Sequence, residues 1–201
     1  MDTSFEVNIS KETFKFNAAH FVAFQGFRER LHGHNYKVSV RLVGSRMIGS
    51  DGYVLDFGDV KAVTKKVCKS MNEYFLCPMY SDVLKIDMAE SEDGKGGTTI
   101  TCEDGAVFVF PKGDCLQLPI VHSTVEELSV YLWGRLLQEL GASMLKKRGI
   151  HTMEITVSEA LGQEAIFRNR IPDNDSDIAA LSDVRKYIDP NIKPTPCSCR
   201  H

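Results

Sequence analysis

A strict alternation over residues 32–42 constrains this chain more than any other feature. In an extended strand successive side chains point to opposite faces. His32, His34, Tyr36, Val38, Val40 and Leu42 therefore share one face, and Gly33, Asn35, Lys37, Ser39 and Arg41 the other. An apolar row that begins with two histidines buries its aliphatic end in a core and brings the imidazoles to the rim. The run before it has the same period, with Phe14, Phe16, Ala18 and His20 on one face. Antiparallel pairing would lay His20, at the end of the first strand, beside the start of the second. Three imidazoles then converge, joined by the loop 21–31. Neutral imidazole is the commonest transition-metal ligand, and three histidines with an open fourth position form a catalytic-zinc donor set. A lone His-X-His at a strand end is more often an ordinary polar feature; the third histidine in register is what favours a metal.

The rest of the chain reads as alternating elements. Asp56 fits an N-cap for a helix whose inward stripe is Phe57, Val60, Val63 or Thr64, Val67, Met71 and Tyr74. Lysines 61, 65, 66 and 69 face outward, and the helix is expected to end before Pro78. Residues 98–101 and 106–110 flank Glu103-Asp104-Gly105, a hairpin signal inside an insertion over about 82–120. A further short strand is expected near 83–86, and 93–97 reads as a loop. Thr124-Val125-Glu126-Glu127 fits a capping box, with Ser123 and Glu126 as a competing register. The helix it opens points Val125, Leu128, Leu132, Leu136 and Leu140 inward and stops at Gly141. His151, Met153, Ile155, Val157 and Glu159 share a strand face, and 164–169 is the returning strand.

This order predicts an α+β domain over residues 1–170: a four-stranded antiparallel sheet, two helices on one face and an inserted β-hairpin. Open sheet edges favour continuation of the sheet between subunits. Residues 171–201 turn polar and proline-punctuated; a short helix fits 178–188, and the segment as a whole is expected to be a mobile tail.

Composition narrows the function. A net charge of −3 gives no reason to expect nucleic acid or an acidic membrane as partner. No apolar run approaches a membrane span, and residues 1–5 lack signal-peptide features, so a cytoplasmic location is expected. The six cysteines are scattered and are expected to be free thiols. Cys197, Cys199 and His201 could hold a metal only opportunistically. No phosphate loop, dinucleotide fingerprint or serine-nucleophile elbow is present.

The candidate chemistry is metal-assisted, with zinc on His20, His32 and His34 polarising substrate oxygens. Such a reaction needs a base, and Glu29, three residues before His32, is the nearest candidate; its competing reading is a surface pair with Arg28 or Arg30. Glu159 ends an apolar strand face, where a carboxylate is well used accepting the paired N–H donors of a heterocycle, unless the strand end is simply exposed. Thr124 and Glu126 are capping residues that can also meet a ligand at a helix N-terminus. His122 and His151 read as structural.

Phe16-Asn17-Ala18-Ala19-His20, followed by Leu31-His32-Gly33-His34-Asn35-Tyr36, closely resembles the 6-pyruvoyl-tetrahydropterin synthase family, which includes 6-carboxy-tetrahydropterin synthases. The match extends through Gly52-Tyr53-Val54-Leu55-Asp56-Phe57, Ser123-Thr124-Val125-Glu126 and Val157-Ser158-Glu159, over about residues 5–170. The resemblance implies a tunnelling fold, self-association into trimers and hexamers, and zinc on the three histidines. It implies a pterin anchored by Glu159 with Thr124 in the pocket, and 7,8-dihydroneopterin triphosphate as substrate with triphosphate eliminated. The family's usual catalytic cysteine is missing from loop 21–31, which carries Glu29 instead. That resembles a glutamate-bearing subgroup directed toward 6-hydroxymethyl-dihydropterin. The family's Leu-Asp-His after the first helix is matched by Met71-Asn72-Glu73. Glu73 would be the replacement carboxylate and His122 the replacement imidazole. Otherwise the chain would be a catalytically weak homo-oligomer that binds zinc and pterin; a purely structural oligomer would hold no zinc.

Overall fold

The computed structural model describes residues 4–89 and 96–192. Most of the loop expected at 93–97, and Cys197, Cys199 and His201, lie outside the described residues. Strand β1 (Glu6–His20) pairs antiparallel with β4 (His32–Val43), setting Phe16 opposite Tyr36, Ala18 opposite His34 and His20 opposite His32. A register shift between Ser10 and Lys15 takes up the irregular middle of β1. The inward face is the one that alternation assigns: Phe14, Phe16, Tyr36, Val38, Val40 and Leu42 are all buried. On the far side of β4 lies β10 (Thr152–Ala160), Ile155 opposite Val40 and Val157 opposite Val38, and β11 (Gln163–Arg170) completes that edge.

The sheet has six strands rather than four, and it is mixed. Beyond β1 come β5 (Tyr74–Pro78) and β9 (Cys115–Leu118), both in parallel pairing, for an order β11-β10-β4-β1-β5-β9. Strand β5 takes Tyr74 from the expected helical stripe, because α1 covers only Phe57–Ser70. The run Tyr74-Phe75-Leu76-Cys77-Pro78 lacks a period because both faces are covered. Leu76 enters the main core, whereas Phe75 and Cys77 enter a second one. The turn between α1 and β5 is tied to β1: Asn17 N–H donates to Asn72 Oδ1 (2.9 Å), and Glu73 N–H donates to Asn17 O (2.6 Å). Glu73 takes a left-handed φ of 68° to make that reversal.

The insertion forms its own three-stranded antiparallel sheet, β6 (Leu84–Ala89), β7 (Gly97–Cys102) and β8 (Val107–Pro111). It covers the second core, where Phe110 stacks on Phe75 (4.3 Å between centroids) and Phe108 on Phe21 (5.0 Å). The loop 21–31 is itself a miniature hairpin, β2 (Ala23–Phe24) and β3 (Phe27–Arg28), turned by Gly26.

Helix α2 (Val125–Leu140) joins α1 on one face of the main sheet. It buries Leu128, Leu132, Leu136 and Leu140, and also Trp133, whose Nε1 donates to Met153 O at 3.0 Å. Thr124 caps it by accepting from Glu127 N–H. Short α3 (Ala142–Lys147) follows. The segment after residue 170, expected as a polar tail, is anchored as far as it is described. Ile171, Ile178 in α4 (Ile178–Leu181) and Val184 are buried in the main core, and the Tyr187 ring meets Phe167 edge-on. The apolar positions there are too widely spaced to show a period. Among the described residues, no helix is long and apolar enough to cross a membrane.

Candidate metal centre and active site

Pairing of β1 with β4 brings the three imidazoles together as the alternation requires. One ligand atom each from His20, His32 and His34 lies within 4.8 Å of the others. Ring centroids are 4.6 Å apart for His20–His32, 5.1 Å for His20–His34 and 4.8 Å for His32–His34. Nitrogens bound tetrahedrally to one zinc stand roughly 3.3 Å apart, given Zn–N bonds of about 2.0 Å, so modest rotation closes the site.

Two of the rings are oriented through their other nitrogen by main-chain oxygen. His20 Nδ1 lies 2.8 Å from Ser123 O, and His32 Nδ1 lies 2.8 Å from Arg30 O. With Nδ1 as the donor in each, Nε2 is left as the lone-pair face, the second-shell pattern of metal-bound histidine. His20 Nε2 is buried and has no hydrogen-bond partner. A buried polar atom without a partner needs an explanation, and a cation facing it supplies one. Burial, opposed by the Ser123 bond and reinforced by the two neighbouring imidazoles, lowers the His20 pKa to about 4. The ring is thereby kept in the neutral form that binds metals. The three residues fit zinc on this geometry and donor chemistry.

Around the triad stand a phenol and two carboxylates. Tyr36 continues the histidine face; its hydroxyl is buried without a partner. Its pKa is raised first by burial and then by the nearby charges of Glu159 and Glu29. Glu159 Oε2 lies 3.8 Å from His34 Nε2. Glu29 is half-buried, and Val22 N–H donates to its Oε2 (3.0 Å) while its own N–H donates to Val22 O (2.9 Å). The surface pairing of Glu29 with Arg28 or Arg30 is not what holds its carboxylate. Arg28 turns to Asp104 and gives Glu29 only a bond to its carbonyl.

The other candidates are placed differently. Glu73 is exposed on a cleft of about 510 Å³ that it shares with Asn17, His34, Asn35, Phe110 and Asp114. Its backbone serves the turn into β5. The His122 ring faces Glu127, with Nδ1 2.7 Å from Oε1, rather than the triad. Thr124 is occupied as the cap, and Glu126 is exposed on the first turn of α2.

Three contributors escape sequence reasoning. Ser123 accepts at its carbonyl from His20 and donates its hydroxyl to Phe21 O (2.9 Å), locking the two segments together. Glu127 Oε2 accepts from Val121 N–H (2.7 Å) and His122 N–H (3.0 Å), which shapes the chain leading to Ser123. Tyr36 was legible as a member of the face, but its unpaired hydroxyl was not. The competing Ser123 register of the helix start and the Ser123-Thr124-Val125-Glu126 match pointed to that serine without giving its role.

With this geometry in hand, the comparisons with known proteins are consistent. The model of the 6-pyruvoyl tetrahydropterin synthase family matches residues 8–170. A crystal structure of the 6-pyruvoyl tetrahydropterin synthase from Plasmodium vivax is 47% identical, with a TM-score of 0.78 over 85% of this chain and 100% of that one. A second P. vivax structure, in which a residue described as catalytic, a glutamate, is replaced by alanine, is 46% identical with the same TM-score and coverage. The 6-carboxy-5,6,7,8-tetrahydropterin synthase of Haemophilus influenzae is 28% identical over 131 residues, 64% of this chain and 80% of that protein. This chain belongs to the 6-pyruvoyl tetrahydropterin synthase family.

Proposed function

We propose that this chain is a zinc-dependent carbon–oxygen lyase that acts on 7,8-dihydroneopterin triphosphate and releases triphosphate. The observation that carries the reading is the convergence of three imidazoles with Glu29, Glu159 and the unpaired Tyr36 hydroxyl at one strand end. Zinc held by His20, His32 and His34 would supply Lewis acidity toward the vicinal hydroxyls of the substrate side chain. Glu159 accepts the paired N–H donors of the pterin ring and orients it, with Thr124 at the pocket's edge. Glu29, fixed by the Val22 amide, accepts the proton lost from the side chain as the C–O bond to triphosphate breaks. A carboxylate is a weaker nucleophile than a thiolate but adequate as a proton acceptor. The P. vivax relative with a glutamate described as catalytic supports the assignment. Triphosphate elimination keeps all three side-chain carbons and gives the pyruvoyl pterin. The product favoured by a glutamate here, 6-hydroxymethyl-dihydropterin, instead needs Glu29 to take the proton of the C2′ hydroxyl as the C1′–C2′ bond breaks, C1′ gaining a proton and the two outer carbons leaving as glycolaldehyde triphosphate. Edge strands β9 and β11 offer pairing surfaces for a trimer or hexamer.

The test is incubation of zinc-loaded protein with the substrate and mass spectrometry of the products. Expected is either a pyruvoyl pterin with free triphosphate or a hydroxymethyl pterin with glycolaldehyde triphosphate, and either is lost in His32→Ala. Turnover no greater than that of His32→Ala refutes the enzyme reading. Glu29→Gln is expected to lower kcat about 10²–10⁴-fold, the usual worth of a general base, while zinc content stays the same.

A second reading, a weakly catalytic zinc- and pterin-binding oligomer, is favoured by the turn at Asn72-Glu73. Both residues are committed to the main chain of β1, and Glu73 is exposed on a cleft that His34 also lines. Under that reading Asn72→Asp with Glu73→His raises turnover sharply; no gain counts against it.

A further inference from the structure

We infer that the inserted three-stranded sheet positions Glu29, through an Asp104–Arg28 ion pair and a Glu103–Gly26 hydrogen bond that grip the loop carrying it. The inference rests on Glu29 as the proton-transfer carboxylate. Strands β2 and β3 have two residues each, and a hairpin that short does not hold its own shape. Support comes from the turn between β7 and β8, 76 residues away in sequence from Arg28. Arg28 Nε and Nη2 both donate to Asp104 Oδ2, at 2.9 and 2.7 Å. Glu103 Oε2 accepts from Gly26 N–H at 3.0 Å. Asp104 is itself pre-set, because its Oδ1 accepts from Ala106 N–H at 3.1 Å.

Arg28 passes this constraint on. Its Nη1 donates to Glu29 O at 2.9 Å, and its guanidinium lies over Phe108 (5.4 Å) and Phe21 (6.0 Å). A planar guanidinium with fixed donors sets an orientation as well as a distance. Glu29 is thus held at its carbonyl by Arg28, at its N–H by Val22 O and at its carboxylate by the Val22 amide. Between loop and insertion a cavity of about 280 Å³ remains, walled in part by Ala23, Phe27, Leu84 and Cys102. Phe108 on Phe21 sets the base of the loop against the insertion, but around this cavity the apolar walls do not close on one another, so the polar links fix the tip that carries Gly26 and Arg28. Asp104 and Glu103 are positioning residues on this account, and Arg28 is the link.

The test is amide hydrogen exchange by NMR on the full chain, with kinetics on the same samples. The Val22 amide reports directly on where the Glu29 carboxylate sits. Asp104→Asn is expected to speed Val22 exchange about tenfold while Val40 in β4 keeps its protection. It is expected to lower kcat about tenfold with KM within twofold, since a misplaced catalytic group costs turnover before binding. Asp104→Glu should recover most of both, and Glu103→Gln should show a smaller effect of the same kind. Unchanged Val22 exchange in Asp104→Asn overturns the inference, whatever the turnover. Faster Val22 exchange with unaltered kcat also overturns it, since the grip would then not govern Glu29. If wild type makes no product, the pterin-synthase reading falls alone, and Val22 exchange still decides whether the insertion places this carboxylate.

Discussion

Replacing Glu127 by alanine tests how the triad is held from behind. The carboxylate is buried and makes three contacts: Oε2 accepts from the Val121 and His122 amides, and Oε1 meets His122 Nδ1. A buried donor left without an acceptor costs about 1–3 kcal/mol. Val121 and His122 are only half-buried, so water recovers part of the loss. Two orphaned amides at the low end of that range give about 2–3 kcal/mol. With a urea m-value of about 2–3 kcal/mol/M, the midpoint moves down by about 1 M. Glu127→Gln keeps one carbonyl oxygen for the amides and is expected to cost about 1 kcal/mol. The displaced segment carries Ser123, whose carbonyl orients His20, so zinc affinity should fall about tenfold in the alanine variant. Urea unfolding and competitive zinc titration measure both. A loss below about 0.5 kcal/mol, equal costs for the two variants, or unaltered zinc affinity would refute the reasoning.

Other outcomes follow from the same contacts. Elemental analysis should find about one zinc per chain, dropping to background in His20→Ala, which removes the most buried of the three ligands. Glu159→Gln should weaken binding of a pterin product at least tenfold in calorimetry, because one acceptor of a paired set becomes a donor, with zinc content unchanged. Gly134→Ala is expected to lower stability by about 1–3 kcal/mol despite alanine's better helix propensity. A Cβ there would lie 2.3 Å from Ser182 Cβ, lifting the 178–184 segment off α2. Adding Ser182→Gly should restore most of the loss, and thermal melts of the single and double variants would show it.

The division between sequence and tertiary structure follows the range of the interactions. Period-two alternation is local, so the inward face of β1 and β4 and the convergence of His20, His32 and His34 were legible from residue order alone. Helix α2 was legible for the same reason, through its Thr124 cap and leucine spacing. Strand β5 was not, because a strand covered on both faces shows no period, and its apolar run reads as well as the end of a helix. The Glu29–Val22 and His122–Glu127 contacts lie within one segment, but no period announces them. Which partner Arg28 takes in place of the Glu29 carboxylate depended on a contact between segments remote in sequence. The grip of Asp104 on Arg28 is such a contact. No spacing rule specifies which distant carboxylate a loop arginine will find; the packing of Phe21, Phe75, Phe108 and Phe110 under the inserted sheet decides it. The residue order alone determined where a metal would sit, and only the tertiary structure decided which groups surround it, because ligands on paired strands follow from register whereas their supports come from wherever the core brings the chain back.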